Sequence, residues 1–317
     1  MVELVSALAL LIGPTPPLGP TIAWGDAQHA WVGGGGGIFG SADGGATWRK
    51  QTRILALQLA ATDAHHAWAL TGQGQTIRTT DGVHWRYLGV QHLLRLSFVD
   101  AQHGFALERD DFVVSTSDGG VTWRMTGGPN RLQSICFSSA RTGWVARTGT
   151  VWATNDAGSH WRETQLLRAR QGFPFPELGC RGSTAWVVFH GGVAAGSEGY
   201  AVFRLDRKTW RAVYGQFLRR GLPRIDATAG PLAVLPDGGA VLEGSCGPCG
   251  RGRVTLQGDD LRRQTVFAGW QPGAIAFVDR RHGLLVLTKA RTGVPTVWRT
   301  VNGRTWSAVL TSKLLRP

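Results

Sequence analysis

The sequence predicts an all-β fold, a seven-bladed β-propeller whose blades are four-stranded antiparallel sheets. Three observations carry this expectation. The segment Ser41-Ala42-Asp43-Gly44-Gly45-Ala46-Thr47-Trp48 recurs along the chain. Its copies are spaced at about 40 residues, the period of a propeller or solenoid repeat. The 45 glycines and 14 tryptophans among 317 residues suit many short strands joined by tight turns, with a large ring in each repeat.

Asp43 and Trp48 mark the first copy, Asp81 and Trp85 a shortened second, Asp118 and Trp123 a nearly complete third, and Asp156 and Trp161 a fourth. Asp206 with Trp210 and Asn302 with Trp306 are worn copies. The first four are 38, 37 and 38 residues apart, and the 96 residues from 206 to 302 leave room for two repeats. A degraded copy at Gly258-Asp259-Asp260 fills that interval and brings the count to seven. The motif has a local physical purpose. Asp accepts hydrogen bonds from turn amides, Gly supplies positive φ, and Ser or Thr bonds across the loop. Trp then opens the next strand and buries its ring between sheets with its N–H near the edge. Such a turn folds a hairpin and specifies no chemistry.

Blade one reads as strands at residues 21–24, 29–32 and 37–41, the turn, and a strand from 47. Later first strands fall near 57–61, 96–99 and 134–137. Alignment on Trp31, Trp68, Phe105 and Trp144 places Ala23, Ala60, Ser97, Cys136 and Ala276 in one column. Small residues there fit first strands that line a crowded central axis. The adjacent column, Trp24, Ala61, Phe98, Phe137 and Phe277, is mostly large and should pack between blades. Alternation of this kind is the period of a half-buried strand. Asp26, Asp63, Asp100 and Asp279 each precede a histidine by three residues. Asp and His are common metal ligands, but pairs on different blades cannot converge on one ion. Asp-capped turns account for all four.

Residues 20–317 therefore form one propeller domain, and residues 1–19 stand outside the repeat. The apolar run from Leu4 to Ile12 is too short to span a bilayer. It has the length of a signal-peptide core without a basic leader, and reads as an export signal or as an additional edge strand. On the first reading the protein is exported to the periplasm, envelope or exterior, with the cytoplasm as the alternative. Cys136 occupies the small-residue column and reads as a core residue. Cys180 has no assignable partner. Cys246 and Cys249 spell a C-x-x-C tetrapeptide with no helix after it to lower a thiol pKa, so a loop disulfide in an oxidising compartment is expected.

The turn pattern S-x-D-x-G-x-T-W resembles the Asp-box, or BNR, repeat over about residues 20–310. Asp-box propellers include sialidases, some endoglucanases, sortilin-type receptors and the photosystem II assembly and stability factors. The fuller repeat, an apolar strand, D-x-x-H-G/A-W and then T-x-D-G-G-x-T-W, is most similar to that last group and its relatives in non-photosynthetic bacteria. The resemblance implies a non-catalytic scaffold that binds a protein partner, for instance a membrane-protein assembly intermediate. No cofactor and a monomeric state are expected with it.

Departures from a repeat mark where function is grafted, and here they fall in blades four to six. The connection after Trp161 carries Arg168, Arg170, Phe173 and Phe175, and that after Trp210 carries Tyr214, Phe217, Arg219 and Arg220. Blade five holds a Gly-rich insertion at 191–200, and blade six adds Arg251 and Arg253 behind its cysteines. In such blades these connections emerge on one face and the Asp boxes on the other. Arginine forks interleaved with aromatic rings suit an acidic protein segment.

Two other functions compete. A sialidase resembling the family would need three convergent arginines, a Tyr–Glu pair and an Asp acid. The tyrosines are only Tyr87, Tyr200 and Tyr214, and Pro223-Arg224-Ile225 reverses the family's early motif. Other glycosidases need two carboxyls roughly 5–10 Å apart, and Glu108, Glu163, Glu177, Glu198 and Glu243 scatter over several blades. The net charge of +13, carried by 30 arginines and 4 lysines, favours anionic partners and admits polyanion binding through an Arg-rich face. No recognised nucleic-acid motif accompanies that charge.

Overall fold

The computed structural model describes residues 19–109, 112–168, 175–194, 197–217, 221–246, 253–258 and 263–315. The expected leader, the degraded turn at Asp259-Asp260, and Arg170, Phe173, Arg219, Arg220, Arg251 and Cys249 lie outside these residues.

Seven four-stranded antiparallel sheets follow one another, each built from contiguous chain. Blade one is β1 (Thr21–Trp24), β2 (Ala30–Gly34), β3 (Gly37–Ser41) and β4 (Arg49–Thr52). Blade two is β5 (Ala56–Ala61), β6 (Ala67–Thr71), β7 (Gln75–Thr79) and β8 (Arg86–Val90). Blade three is β9 (Leu93–Phe98), β10 (Gly104–Glu108), β11 (Val113–Thr116) and β12 (Arg124–Met125). Blade four is β13 (Ser134–Phe137), β14 (Gly143–Arg147), β15 (Thr150–Thr154) and β16 (Arg162–Gln165). Blade five is β17 (Phe175–Arg181), β18 (Thr184–Ala194), β19 (Ser197–Asp206) and β20 (Thr209–Gln216). Blade six is β21 (Thr228–Val234), β22 (Ala240–Ser245), β23 (Arg253–Gly258) and β24 (Arg263–Ala268). Blade seven is β25 (Trp270–Phe277), β26 (Gly283–Lys289), β27 (Pro295–Thr300) and β28 (Ser307–Thr311).

The first strands of neighbouring blades touch all the way round, from β1 through β25 and back to β1. Side chains lace this inner ring. Thr21 Oγ1 accepts from Leu59 N at 3.0 Å, and Gln58 bonds Leu96 N and O at 2.9 Å each. Ser97 and Ser134 accept from Phe137 N and Leu178 N at 2.8 and 2.9 Å. Small polar residues near the axis thus satisfy backbone amides that the sheets leave unpaired.

Between blades the core is aromatic and aliphatic. Phe98 stacks on Trp68 with ring centroids 3.7 Å apart, and Phe137 on Phe105 at 3.5 Å, so the large column does pack between blades. Trp31, Trp68 and Trp186, all from second strands, are fully buried. The box tryptophans Trp48, Trp85, Trp123 and Trp161 are only half-buried, which corrects their expected place in the core.

Cys136 is a further correction. It forms a disulfide with Cys180, which joins β13 of blade four to β17 of blade five. The small column put Cys136 at the axis, and the adjacent first strand carries Cys180 to the same level. Sequence could not reveal that adjacency because the partners lie 44 residues apart.

Candidate functional site

The Asp boxes are structural turns. Asp43 Oδ1 accepts from Ala46 N and Thr47 N at 2.9 and 2.8 Å, and Thr47 Oγ1 donates to Oδ2 at 2.6 Å. The Thr47 hydroxyl is the main cause that holds the Asp43 carboxyl down to about 2. Gly45, at φ 84°, turns the chain beside Leu284 of blade seven. In blades two and four a histidine replaces Thr, and His84 and His160 Nδ1 each meet an Asp oxygen at 2.7 Å. Asn302 reproduces the cap with bonds of 2.9 Å from Arg304 N and Thr305 N. Asp206 does not. It closes a tight hairpin opposite Thr209 and faces Arg211 at 3.6 Å, so the Asp206–Trp210 segment is no Asp box. The Asp-x-x-His pairs stay in separate turns, as in Asp26, whose Oδ1 accepts from Gln28 N and His29 N at 2.7 and 2.8 Å.

Each blade places its first-to-second and third-to-fourth turns on the Asp-box face, and its other connections on the opposite, loop face. The longest described strands belong to blade five, and the hairpin between them opens on that loop face. β18 and β19 run 11 and 10 residues, against five each for β2 and β3. Beside this hairpin, Tyr200 pins the connection into blade six. Its hydroxyl accepts from Ile225 N at 2.7 Å and donates to Asp226 O at 3.2 Å.

The expected binding residues divide. Phe217 is 78% exposed at φ 64° and Phe175 is 43% exposed, both on the loop face. Arg168 is exposed as well. Tyr214 is buried, with its hydroxyl on Gly258 O at 2.8 Å, so it belongs to the core and not to a surface. Arg253 pairs with buried Asp226 at 2.6 Å, and Thr255 Oγ1 bonds the other carboxylate oxygen at 2.7 Å. That internal pair commits Arg253 to holding the connection in place. Cys246 is disulfide-bonded, and its N–H donates to Arg253 O at 3.1 Å.

Sequence spacing missed one cluster. Glu177, Glu198 and Glu243 were expected to be scattered, yet Glu177 and Glu198 meet His190 in blade five and Glu243 of blade six lies within reach of the Glu177 charge. His190 Nδ1 meets Glu198 Oε1 at 3.0 Å, and its Nε2 lies 3.6 Å from Glu177 Oε2. Glu177 Oε1 also accepts from Leu232 N at 3.1 Å, which laces blade five to blade six. Burial pulls His190 down, but the bonds to Glu177 and Glu198 outweigh it and raise its pKa to about 9. Burial, then the charge of Glu177, pushes Glu243 well above the carboxylate range. Both Glu243 oxygens are shut off from solvent, and the Gly273 backbone N–H acts in the opposite direction, favouring the charged form. Arg95, reaching from β9, is half-buried and shares an electrostatic interaction with Glu177. The available signal was a charged residue inside an apolar strand: His190 after Val187-Val188-Phe189, and Glu243 after Val241-Leu242.

Among the described residues no group of His, Cys, Asp and Glu is arranged to hold a metal ion, and no helix is long and apolar enough to cross a membrane.

Residues 79–176 match the family model of the photosynthesis system II assembly factor YCF48. No curated protein matches the chain. Among solved structures, YCF48 bound to a D1 peptide is similar at 15% identity and TM-score 0.59, over 91% of this chain and 95% of that one. YCF48 from Cyanidioschyzon merolae aligns at 13% identity and TM-score 0.48, over 97% and 88% of the two chains. An ancestral GH74 enzyme aligns at 14% identity and TM-score 0.53, over 92% of this chain but only 45% of the enzyme. The boxed turns and the seven contiguous blades make the chain a BNR-type β-propeller, and its stretch from the end of blade two to the start of blade five is similar to the photosystem II assembly factors.

Proposed function

We propose that this propeller is a non-catalytic scaffold that docks a protein partner on its loop face, around blades four to six. The observation that carries this reading is the one-sidedness of the irregular connections, with the lengthened blade-five hairpin and exposed Phe175, Phe217 and Arg168 among them. The YCF48 structure bound to a D1 peptide supports a peptide segment as the kind of partner, and the net charge of +13 favours an acidic one. The Cys136–Cys180 disulfide supports an oxidising compartment, and so an exported protein.

The coupled carboxyls Glu177 and Glu243 are the feature nearest to a glycosidase. Their arrangement disfavours that chemistry, because a general acid must touch the leaving oxygen and Glu243 is sealed from solvent. The test uses a labelled D1 peptide as probe. R168E combined with R219E should weaken binding about tenfold or more without lowering Tm, while R49E with R124E on the Asp-box side leaves it unchanged. Equal losses for the two pairs would mean that charge acts only through the global field.

A further inference from the structure

The tryptophan at the centre of a second strand normally reaches the next blade. Trp31 Nε1 donates to Gly82 O at 3.3 Å, and Trp68 Nε1 to Gly119 O at 2.8 Å. Both acceptors are Asp-box glycines, so the box of the following blade plugs the gap between the two sheets at its own rim. In blade five, Trp186 Nε1 uses a turn of blade six and donates to Gly238 O at 3.1 Å. Trp144 holds the matching register in blade four, opposite Cys136 as Trp31 is opposite Ala23. It has no such acceptor among the described residues, because blade five lacks the box that would supply one.

The missing box leaves a cleft of about 520 Å³ between blades four and five, on the face opposite the docking surface proposed above. Its depth follows from burial. Trp144 and Leu205 are buried, Trp161 and Trp210 are half-buried, and Arg162, Arg207 and Lys208 are exposed. None of the described lining residues is acidic. The nearest carboxylates are occupied, Asp206 by Arg211, Asp156 by its own turn and His160, and Glu163 by Trp152 Nε1. Arg207 also sits at φ 56°, where Asn or Gly would be less strained, so the turn spends conformational energy to carry a cation there.

We infer that this cleft is a second peptide-docking site, for an acidic segment that carries one bulky apolar side chain. The equivalent gaps in blades one and two are filled by polypeptide, which presents a backbone carbonyl to the tryptophan N–H. A partner segment supplies that carbonyl to Trp144, lays its apolar side chain against Trp161 and Trp210, and sets its carboxylates on Arg162, Arg207 and Lys208. This site does not depend on the loop-face reading.

The probe is a short fluorescein-labelled peptide of aspartates and glutamates with one central phenylalanine, followed by anisotropy. It should bind the wild-type protein, and R207E combined with K208E should weaken binding about tenfold or more. S183W, which fills the cleft without changing charge, should weaken it as well, and it decides the matter if the double variant fails to fold. R168E on the loop face, and R49E with R124E beside other boxes, should leave the affinity as it was. The proposal is overturned by an equal loss in R49E with R124E, by unchanged binding to S183W, by equal binding of a peptide with alanine for phenylalanine, or by no binding to the wild type.

Discussion

Tryptophan occupies two environments in this molecule, and they carry different energies. Trp68 is fully buried, stacked on Phe98 and bonded to Gly119 O, whereas Trp123 is half-buried at the rim with its N–H shared by Gly120 O and Gln91 Oε1. Trp68→Ala should cost about 3–5 kcal/mol and Trp123→Ala less than half of that, read from urea melts. Equal costs would contradict the burial difference. Titration also acts at single side chains. His190 is raised from 6.5 to about 9, so the stability it brings is complete below pH 6.5 and is lost as the pH climbs through 9. Glu243 is raised well above 4.5, so keeping it protonated costs more stability as the pH rises past 4.5. Glu243→Gln should therefore flatten the decline in stability as the pH rises past 4.5, again in urea melts. A decline as steep as in the wild type would place the titrating group elsewhere.

Blades four and five are where regular elements give way. β18 and β19 run about twice the length of β2 and β3, the hairpin of blade five drops its Asp box, and a disulfide joins the two first strands. The disulfide ties blades four and five at their first strands. It closes a span of 44 residues, which in the chain-entropy account corresponds to about 4 kcal/mol. Cys136→Ser with Cys180→Ser should lower stability by about 2–4 kcal/mol and leave far-UV circular dichroism unchanged. A loss below about 1 kcal/mol would show that the inner lacing through Ser134 suffices between these blades.

Among the described residues every blade is made from contiguous chain, its four strands following one another in sequence. Side chains close the ring between blades seven and one. Trp24 Nε1 donates to Ala276 O at 3.2 Å, Arg299 Nε to Gly44 O at 2.7 Å, and buried Leu315 packs against Gly34. This closure leaves two unlike faces. Among the described residues the Asp-box face is a repetition of satisfied turns interrupted at blade five, while the loop face carries the lengthened β18–β19 hairpin. A net charge of +13 favours anionic segments on either face, so only paired variants on opposite faces separate a site from the overall field.

The fold was legible from Asp43 to Trp306 because each repeat is a local device: the cap, the positive-φ glycine and the ring lie within eight residues of chain. The same locality gave the period-two columns and the strand limits of blade one. What the sequence by itself could not give was partnership across blades. Cys136 with Cys180, Arg253 with Asp226, and Glu177 with His190 and Glu198 are brought together by the closing of strands and sheets, not by spacing. Tyr214 looked like a surface aromatic because its segment is irregular in sequence, and tertiary packing turned it inward onto Gly258. Local hydrogen bonds depend on neighbours along the chain and can be read there. Burial and the pKa values of Glu243 and His190 depend on neighbours in space, which only the closed ring defines.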